Sequence, residues 1–397
     1  MSKTEKLLND AKKSILFTAV RPDIIMEQGK GMYLWDTTGK KYLDFIGGWA
    51  VTSLGHCPDI IATALEEQSR KLVNASPSYF NEPMIELAKL LTQKSCFDRV
   101  FFASSGAEAN EGAIKLARKY GSKYLNGAYE IITATNSFHG RTLAMMSASG
   151  KKKFENLFEP KVAGFKHVPL NDLNALKEAI TPKTCAIMLE PIQGEGGVFE
   201  LEKEYTKELR KLCDQTGILL IFDEVQTGLG RTGKLFAYEH YDIEPDIMTL
   251  AKGIGGGFPL SALLVKEKFN IFEAGDQGGT YSGQPLGMAV GLAVVKKIIE
   301  DHLAESAEKQ GKYIQSKLKD LANLFHLTHI RGQGLLIAFN LPKDKGKEIV
   351  SRCLQKGLII NSPQPMMIRL MPPLIVTSKD SDDMIDILSK VMTEVLN

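Results

Sequence analysis

Six short apolar runs limit what this chain can fold into more than any other feature. They are "RVFFAS" (99–104), "EIITAT" (130–135), "CAIMLEPI" (185–192), "GILLIFDEV" (217–225), "DIMTLAK" (246–252) and "LSALLVK" (260–266). Each is apolar at consecutive rather than alternating positions, the pattern of a strand buried on both faces. Helical periodicity lies between several of them, as in "GAEANEGAIKLARKY" directly after the first run. Strands of this kind alternating with helices predict an α/β fold with a mainly parallel sheet covered on both faces. Such a sheet binds ligands at the carboxyl ends of its strands. A hairpin-like pair, "GMYLWDTTGKKYLDF" (31–45), precedes the sheet. From about residue 285 the pattern changes to long helices, then short strands at 329–340 and 357–361, then a closing helix after Ser378. The expected division is an N-terminal segment (1–60) packing with a small domain, a large domain (61–285) and a small C-terminal α+β domain (286–397).

Composition removes several classes of function. With 49 basic and 47 acidic residues the chain carries a formal net charge of +2, too balanced to steer it to nucleic acid or to an anionic membrane. The run "KKK" at 151–153 reads as a solvated edge. The five cysteines are widely spaced with no CxxC pair, which argues against a disulfide framework or a zinc site and for a reducing, cytoplasmic setting. No run of about 18 apolar residues is present, and the N-terminus lacks an apolar signal core.

The stretch "IFDEVQTGLGRTGK" (221–234) matches two nucleotide signatures, GxGxxG and GxxxxGK, and "ILLIFDE" (218–224) resembles the acidic strand end that holds magnesium in P-loop enzymes. Neither survives its chemistry. A P-loop needs Ser or Thr after the lysine, and Leu235 stands there. A dinucleotide fold needs a long crossover helix after the glycines, and "KLFAYEHYDIEPD" is short, charged and broken by Pro245. What remains is Asp223 at the end of a buried strand, where a carboxylate is costly without a cationic partner. A structural ion pair or a helix cap also satisfies that demand. Lys252 ends the next apolar run and is followed by "GIGGG". A strand-end lysine beside a strand-end aspartate is the arrangement that binds pyridoxal phosphate, one as the Schiff-base lysine and the other as partner of the pyridinium.

Nine segments, in order, make the likeness specific: "YLDFIGGWAVTSLGHCPD", "YFNEPMIELAKLL", "SSGAEANEGAIKLAR", "SFHGRT", "EPIQGEGGV", "IFDEVQTGLGRTG", "AKGIGGGFPLSA", "GGTYSGQPLGMA" and "IRLMPPL". Through them nearly the whole chain resembles a class III pyridoxal-phosphate-dependent aminotransferase, most closely the members that act on acetylornithine. The resemblance implies a fold-type I transferase with pyridoxal 5'-phosphate as cofactor. It implies that Lys252 and Asp223 are catalytic, and that Ser105, Gly106 and Ala107 form a phosphate cup at a helix N-terminus, although a plain capping turn has the same sequence. Phe138 and Val225 then flank the cofactor ring, Gln226 reaches its hydroxyl, and Thr280 reaches the phosphate from the other subunit of a homodimer. Arg141 is implied to grip the α-carboxylate of an acylated diamino acid, and Arg369 that of 2-oxoglutarate or glutamate. Glu195 resembles the carboxylate that holds such an arginine aside while the amino donor is bound. His139 receives no role.

The activity so implied is transfer of the 5-amino group of N2-acetyl-L-ornithine to 2-oxoglutarate in L-arginine biosynthesis. The same machinery serves succinyl-diaminopimelate, succinylornithine, ornithine or 4-aminobutyrate, and a glutamate-1-semialdehyde aminomutase shares the fold. Four positions depart from the usual acetylornithine pattern, Trp49, Thr52, Gly279 and Gln284, and they leave the preferred acyl group open.

Overall fold

The computed structural model describes residues 2–396. Its centre is a seven-stranded sheet. In chain order the strands are β1 (Arg99–Ala103), β2 (Glu130–Ala134), β3 (Phe165–Val168), β4 (Thr184–Leu189), β5 (Leu219–Asp223), β6 (Ile247–Leu250) and β7 (Ser261–Val265). Their spatial order is β1-β7-β6-β5-β4-β2-β3. Only β7 runs against its neighbours; the β6–β5, β5–β4, β4–β2 and β2–β3 pairs are all parallel. Every residue of β4, β5, β6 and β7 is buried, as their unbroken apolar sequences require. Each of the six runs named above carries one strand of this sheet. The strand that was not foreseen is β3, "FKHV", an edge strand that is only half-buried and interrupted by Lys166 and His167.

Helix Gly106–Tyr124 leaves β1 directly and crosses β6 and β7. Its apolar face (Ala109, Ala113, Leu116, Ala117) is buried against the sheet. Ser105 caps its start, with Oγ accepting from Glu108 N at 3.3 Å. Helices Asp59–Lys71 and Glu82–Gln93 both lie against helix Pro285–Glu300, a long and strongly apolar one. These contacts tie the flanks of the sheet to the C-terminal part of the chain.

The hairpin foreseen near the N-terminus is Tyr33–Asp36 with Lys41–Asp44, extended by Met26–Lys30. Leu358–Ile359 joins it as a parallel neighbour, so a strand from each end of the chain shares one sheet. A separate antiparallel sheet holds Thr328–Gln333, Leu336–Asn340 and Met367–Leu370, with helices Leu303–Phe325, Gly346–Gln355 and Ser378–Leu396 nearby. The glycine loop 228–233 leads into a short 3-10 turn, Ala237–His240, and not into a crossover helix. That is the structural reason the dinucleotide signature is accidental here. No helix is long and apolar enough to cross a membrane among the described residues.

Candidate active site

A cavity of about 300 Å³ opens at the carboxyl ends of the parallel strands. The segments after β1 (Ser105, Gly106, Ala107), β2 (Phe138, His139), β4 (Glu190, Glu195), β5 (Asp223, Val225, Gln226) and β6 (Lys252) all line it. This is the crevice expected of an open parallel sheet.

Lys252 is partly buried in the cavity wall, and its backbone sits at φ +48°, a left-handed conformation that a non-glycine residue adopts only under constraint. Burial pulls its amine below the usual lysine range, and the nearby Glu195 and Asp223 charges pull back only in part. The result is an amine that reaches its neutral, nucleophilic form more readily than a surface lysine.

Asp223 is 3% exposed and fixed on three sides. Oδ2 accepts from Asn110 Nδ2 at 2.8 Å and lies 2.8 Å from His139 Nδ1, and Oδ1 accepts from Val225 N at 3.0 Å. Asn110 is itself held, donating also to the His139 carbonyl at 2.8 Å and accepting from Thr249 Oγ1 at 2.6 Å. Burial opposes the charged form of His139, yet the hydrogen bond and charge of Asp223 outweigh it and raise the imidazole above its usual range. Glu190 closes the same shell, accepting from Phe138 N at 2.8 Å, and burial pushes its carboxyl up to about 7.

Glu195 forms the opposite wall. Burial works against its charge, but Arg369, Lys151 and Lys252 together hold its carboxyl down at about 2. Arg369 Nη2 donates to Glu195 Oε1 at 2.6 Å, Nη1 to the Gly194 carbonyl at 2.5 Å and Nε to Asn361 Oδ1 at 3.0 Å. Gly194 lets the Gln226 amide pack against the backbone, since a Cβ at that position stands 1.6 Å from Gln226 Oε1 and would push that side chain aside.

Of the residues singled out in the sequence, the cavity gathers Ser105, Gly106, Ala107, Phe138, Glu195, Asp223, Val225, Gln226 and Lys252. Arg369 stands behind it through Glu195, and Arg141 beside it, its guanidinium 5.9 Å from the Phe138 ring. Thr280 lies apart, in an exposed turn. The solvated-edge reading of "KKK" fails at Lys151. Its side chain is 12% exposed and 3.5 Å from Glu195, because the turn after helix Leu143–Ala148 brings it over Phe138. Asn110, His139 and Glu190 went unassigned in the sequence. Glu190 carried the same signal as Asp223, an acid at the end of an apolar run; Asn110 lay inside a helix, where polarity alone says little.

The profile of the aminotransferase class-III family matches residues 18–392. The chain belongs to the class III aminotransferases. It is an aminotransferase by that membership, and its relatives agree over nearly their full lengths. The acetylornithine aminotransferase of Caldanaerobacter subterraneus subsp. tengcongensis is 49% identical, covering 97% of this chain and 98% of that protein. The acetylornithine aminotransferase of Methanocaldococcus jannaschii is 47% identical, covering 94% and 95%. Among solved structures, the ornithine aminotransferase of Toxoplasma gondii superposes with a TM-score of 0.95 at 30% identity, covering 99% of this chain and 96% of that one. A second structure of that enzyme has pyridoxal phosphate at its active site in partial occupancy.

The class III cofactor fits the cavity on three counts. The helix that starts at Gly106 presents its unpaired amides at the cavity wall, and its start sits close enough to Val225 that a Cβ on Gly106 meets that side chain at 2.9 Å. Gln226 Oε1 and His139 Nε2 are buried without a hydrogen-bond partner, although both residues line the cavity. The Lys252 amine and the fixed Asp223 carboxylate line the same cavity.

Proposed function

We propose that this enzyme transfers the 5-amino group of N2-acetyl-L-ornithine to 2-oxoglutarate, a step of L-arginine biosynthesis, with pyridoxal 5'-phosphate as cofactor. The observation that carries the reading is the enclosure of Lys252 with Asp223 on one side and the Glu195–Arg369 pair on the other. Identity near one half with acetylornithine aminotransferases supports the choice of donor.

When bound, pyridoxal phosphate supplies a carbonyl that captures amines and a ring that draws electrons from the neighbouring carbon. The protein does the rest. Gly106 and Ala107 amides and the Ser105 hydroxyl bind the phosphate at the helix N-terminus, where the macrodipole favours an anion. Phe138 and Val225, both in the cavity wall, would flank the cofactor ring. Asp223, held by Asn110, His139 and Val225, would face the ring nitrogen and keep a proton there. Gln226 offers its unpaired oxygen to the ring hydroxyl. The Lys252 amine would accept the proton released from the substrate carbon that bears the transferred amine and hold it for return, a task suited to its lowered pKa.

Two arginines divide the substrates. Arg141, on the outer side of Phe138, receives the α-carboxylate of the acylated donor. Arg369 stays paired with Glu195 while that donor is bound and turns to the carboxylate of 2-oxoglutarate in the second half of the cycle. Such a two-state pair suits a two-substrate transfer better than an isomerisation.

We also infer a homodimer in which Thr280 completes the phosphate site of the partner subunit. Its support is an exposed apolar surface around that turn: Tyr281 is 64% and Phe80 86% exposed, and Asn81 ties the two segments together by donating to the Gly283 carbonyl at 2.8 Å. The division at residues 60 and 285 is supported by the confinement of the large sheet to residues 99–265. The unpaired cysteines support a cytoplasmic setting.

Lys252→Ala tests the mechanism. Glutamate formation is expected to fall by at least about 10²-fold while circular dichroism is unchanged; a variant as active as the parent contradicts it.

A further inference from the structure

Glu195 holds two cations. Arg369 takes Oε1 at 2.6 Å, and Lys151 Nζ lies 3.5 Å from Oε2. The two approach different oxygens, so either can leave without displacing the other. Lys151 is not a passing surface group. Its ammonium lies 4.9 Å from the centroid of the Phe138 ring, at the seam between the catalytic cavity and a neighbouring cavity of about 550 Å³ that it lines. Burial pulls its pKa down and the Glu195 charge pulls it back up, the pattern of an enclosed cation whose main partner is that carboxylate.

The proposed cycle asks Arg369 to let go of Glu195 each time a dicarboxylate enters. An enclosed carboxylate stripped of its only counter-charge is strongly disfavoured, and an arginine facing that cost stays where it is. A second cation changes the balance, since Glu195 remains paired after Arg369 has turned away.

We propose that Lys151 is a positioning residue that holds Glu195 when Arg369 releases it, and so sets how readily the enzyme accepts a dicarboxylate relative to its acylated amino donor. This rests on the function proposed above. Lys151 touches neither substrate; it acts through Glu195. Without it Arg369 is the only cation left within ion-pair distance of Glu195, which favours the closed pair and penalises 2-oxoglutarate.

The test compares Lys151→Met and Lys151→Arg with the parent as cofactor-loaded enzymes. For Lys151→Met the KM for 2-oxoglutarate should rise roughly fivefold to tenfold, the scale of one partly buried ion pair, with kcat and the KM for acetylornithine changed by less than about twofold. Lys151→Arg should restore most of the loss. Glutarate, a dicarboxylate with no keto group to react, gives an equilibrium readout by calorimetry, and its affinity should weaken by the same factor. Equal rises in KM for both substrates, or an unchanged glutarate affinity, overturn the role of Lys151. A parent enzyme that makes no glutamate from 2-oxoglutarate overturns the underlying function instead.

Discussion

Glu190 and Glu195 lie on the same connection after β4, yet the site drives them in opposite directions. Glu190 has no cation in contact, so burial dominates and its carboxyl titrates at about 7, against an ordinary 4.5. The folded chain therefore keeps a proton that the unfolded chain releases, and Glu190 lowers stability progressively as pH rises from about 4.5 to about 7. Glu195, held at about 2 by Arg369 and Lys151, contributes stability that is complete above about 4.5 and lost as pH falls through about 2. Glu190→Gln keeps an acceptor for Phe138 N and removes the ionisation. In cofactor-free protein its Tm should match the parent near pH 5 and exceed it at pH 8. A Tm difference that does not change between those pH values contradicts this account of Glu190.

Helix Gly106–Tyr124 carries the phosphate cup, and its start is built from side chains as well as amides. Ser105 Oγ accepts from Glu108 N, while Glu108 Oε2 accepts from Ser104 N at 3.0 Å and from Ser105 Oγ at 2.9 Å. Ser105→Ala removes the cap and should cost about 1 kcal/mol, whereas Ser105→Gly should cost only a few tenths. Thermal unfolding of the cofactor-free variants checks the order; Gly falling below Ala contradicts a capping role. This helix was legible in the sequence because a strand, a capping serine and an apolar periodicity follow one another without interruption. Strands β4 to β7 were legible because burial on both faces leaves no polar gaps. The direction of β7 was not, since hydrophobicity does not encode which way a strand runs. Nor was the turn Gly47–Ala50, in which Trp49 and Ala50 adopt φ +68° and +63° and Trp49 stays half exposed. Lys151 was hidden by its neighbours: three consecutive lysines read as a solvated edge, and only the fold reveals that one of them turns inward.

At the scale of the whole molecule, the cavity draws on residues from Val51 to Leu260, so the active site exists only once the sheet has closed. Arg369, behind Glu195, extends that dependence to the C-terminal sheet. The exposed apolar turn near Thr280 and the Tyr79–Phe80 segment make a dimer the expected solution state. Sedimentation at micromolar concentration should give twice the chain mass, and a persistent monomer contradicts the shared phosphate site. Trp49, Thr52, Gly279 and Gln284 depart from the usual acetylornithine pattern, which makes the choice of donor the point to test. The central claim therefore rests on one comparison: glutamate formation from 2-oxoglutarate by the cofactor-loaded enzyme, with acetylornithine, succinyl-diaminopimelate, ornithine and 4-aminobutyrate offered at matched concentrations. The account predicts the highest kcat/KM for acetylornithine. A clear lead for any other donor contradicts it.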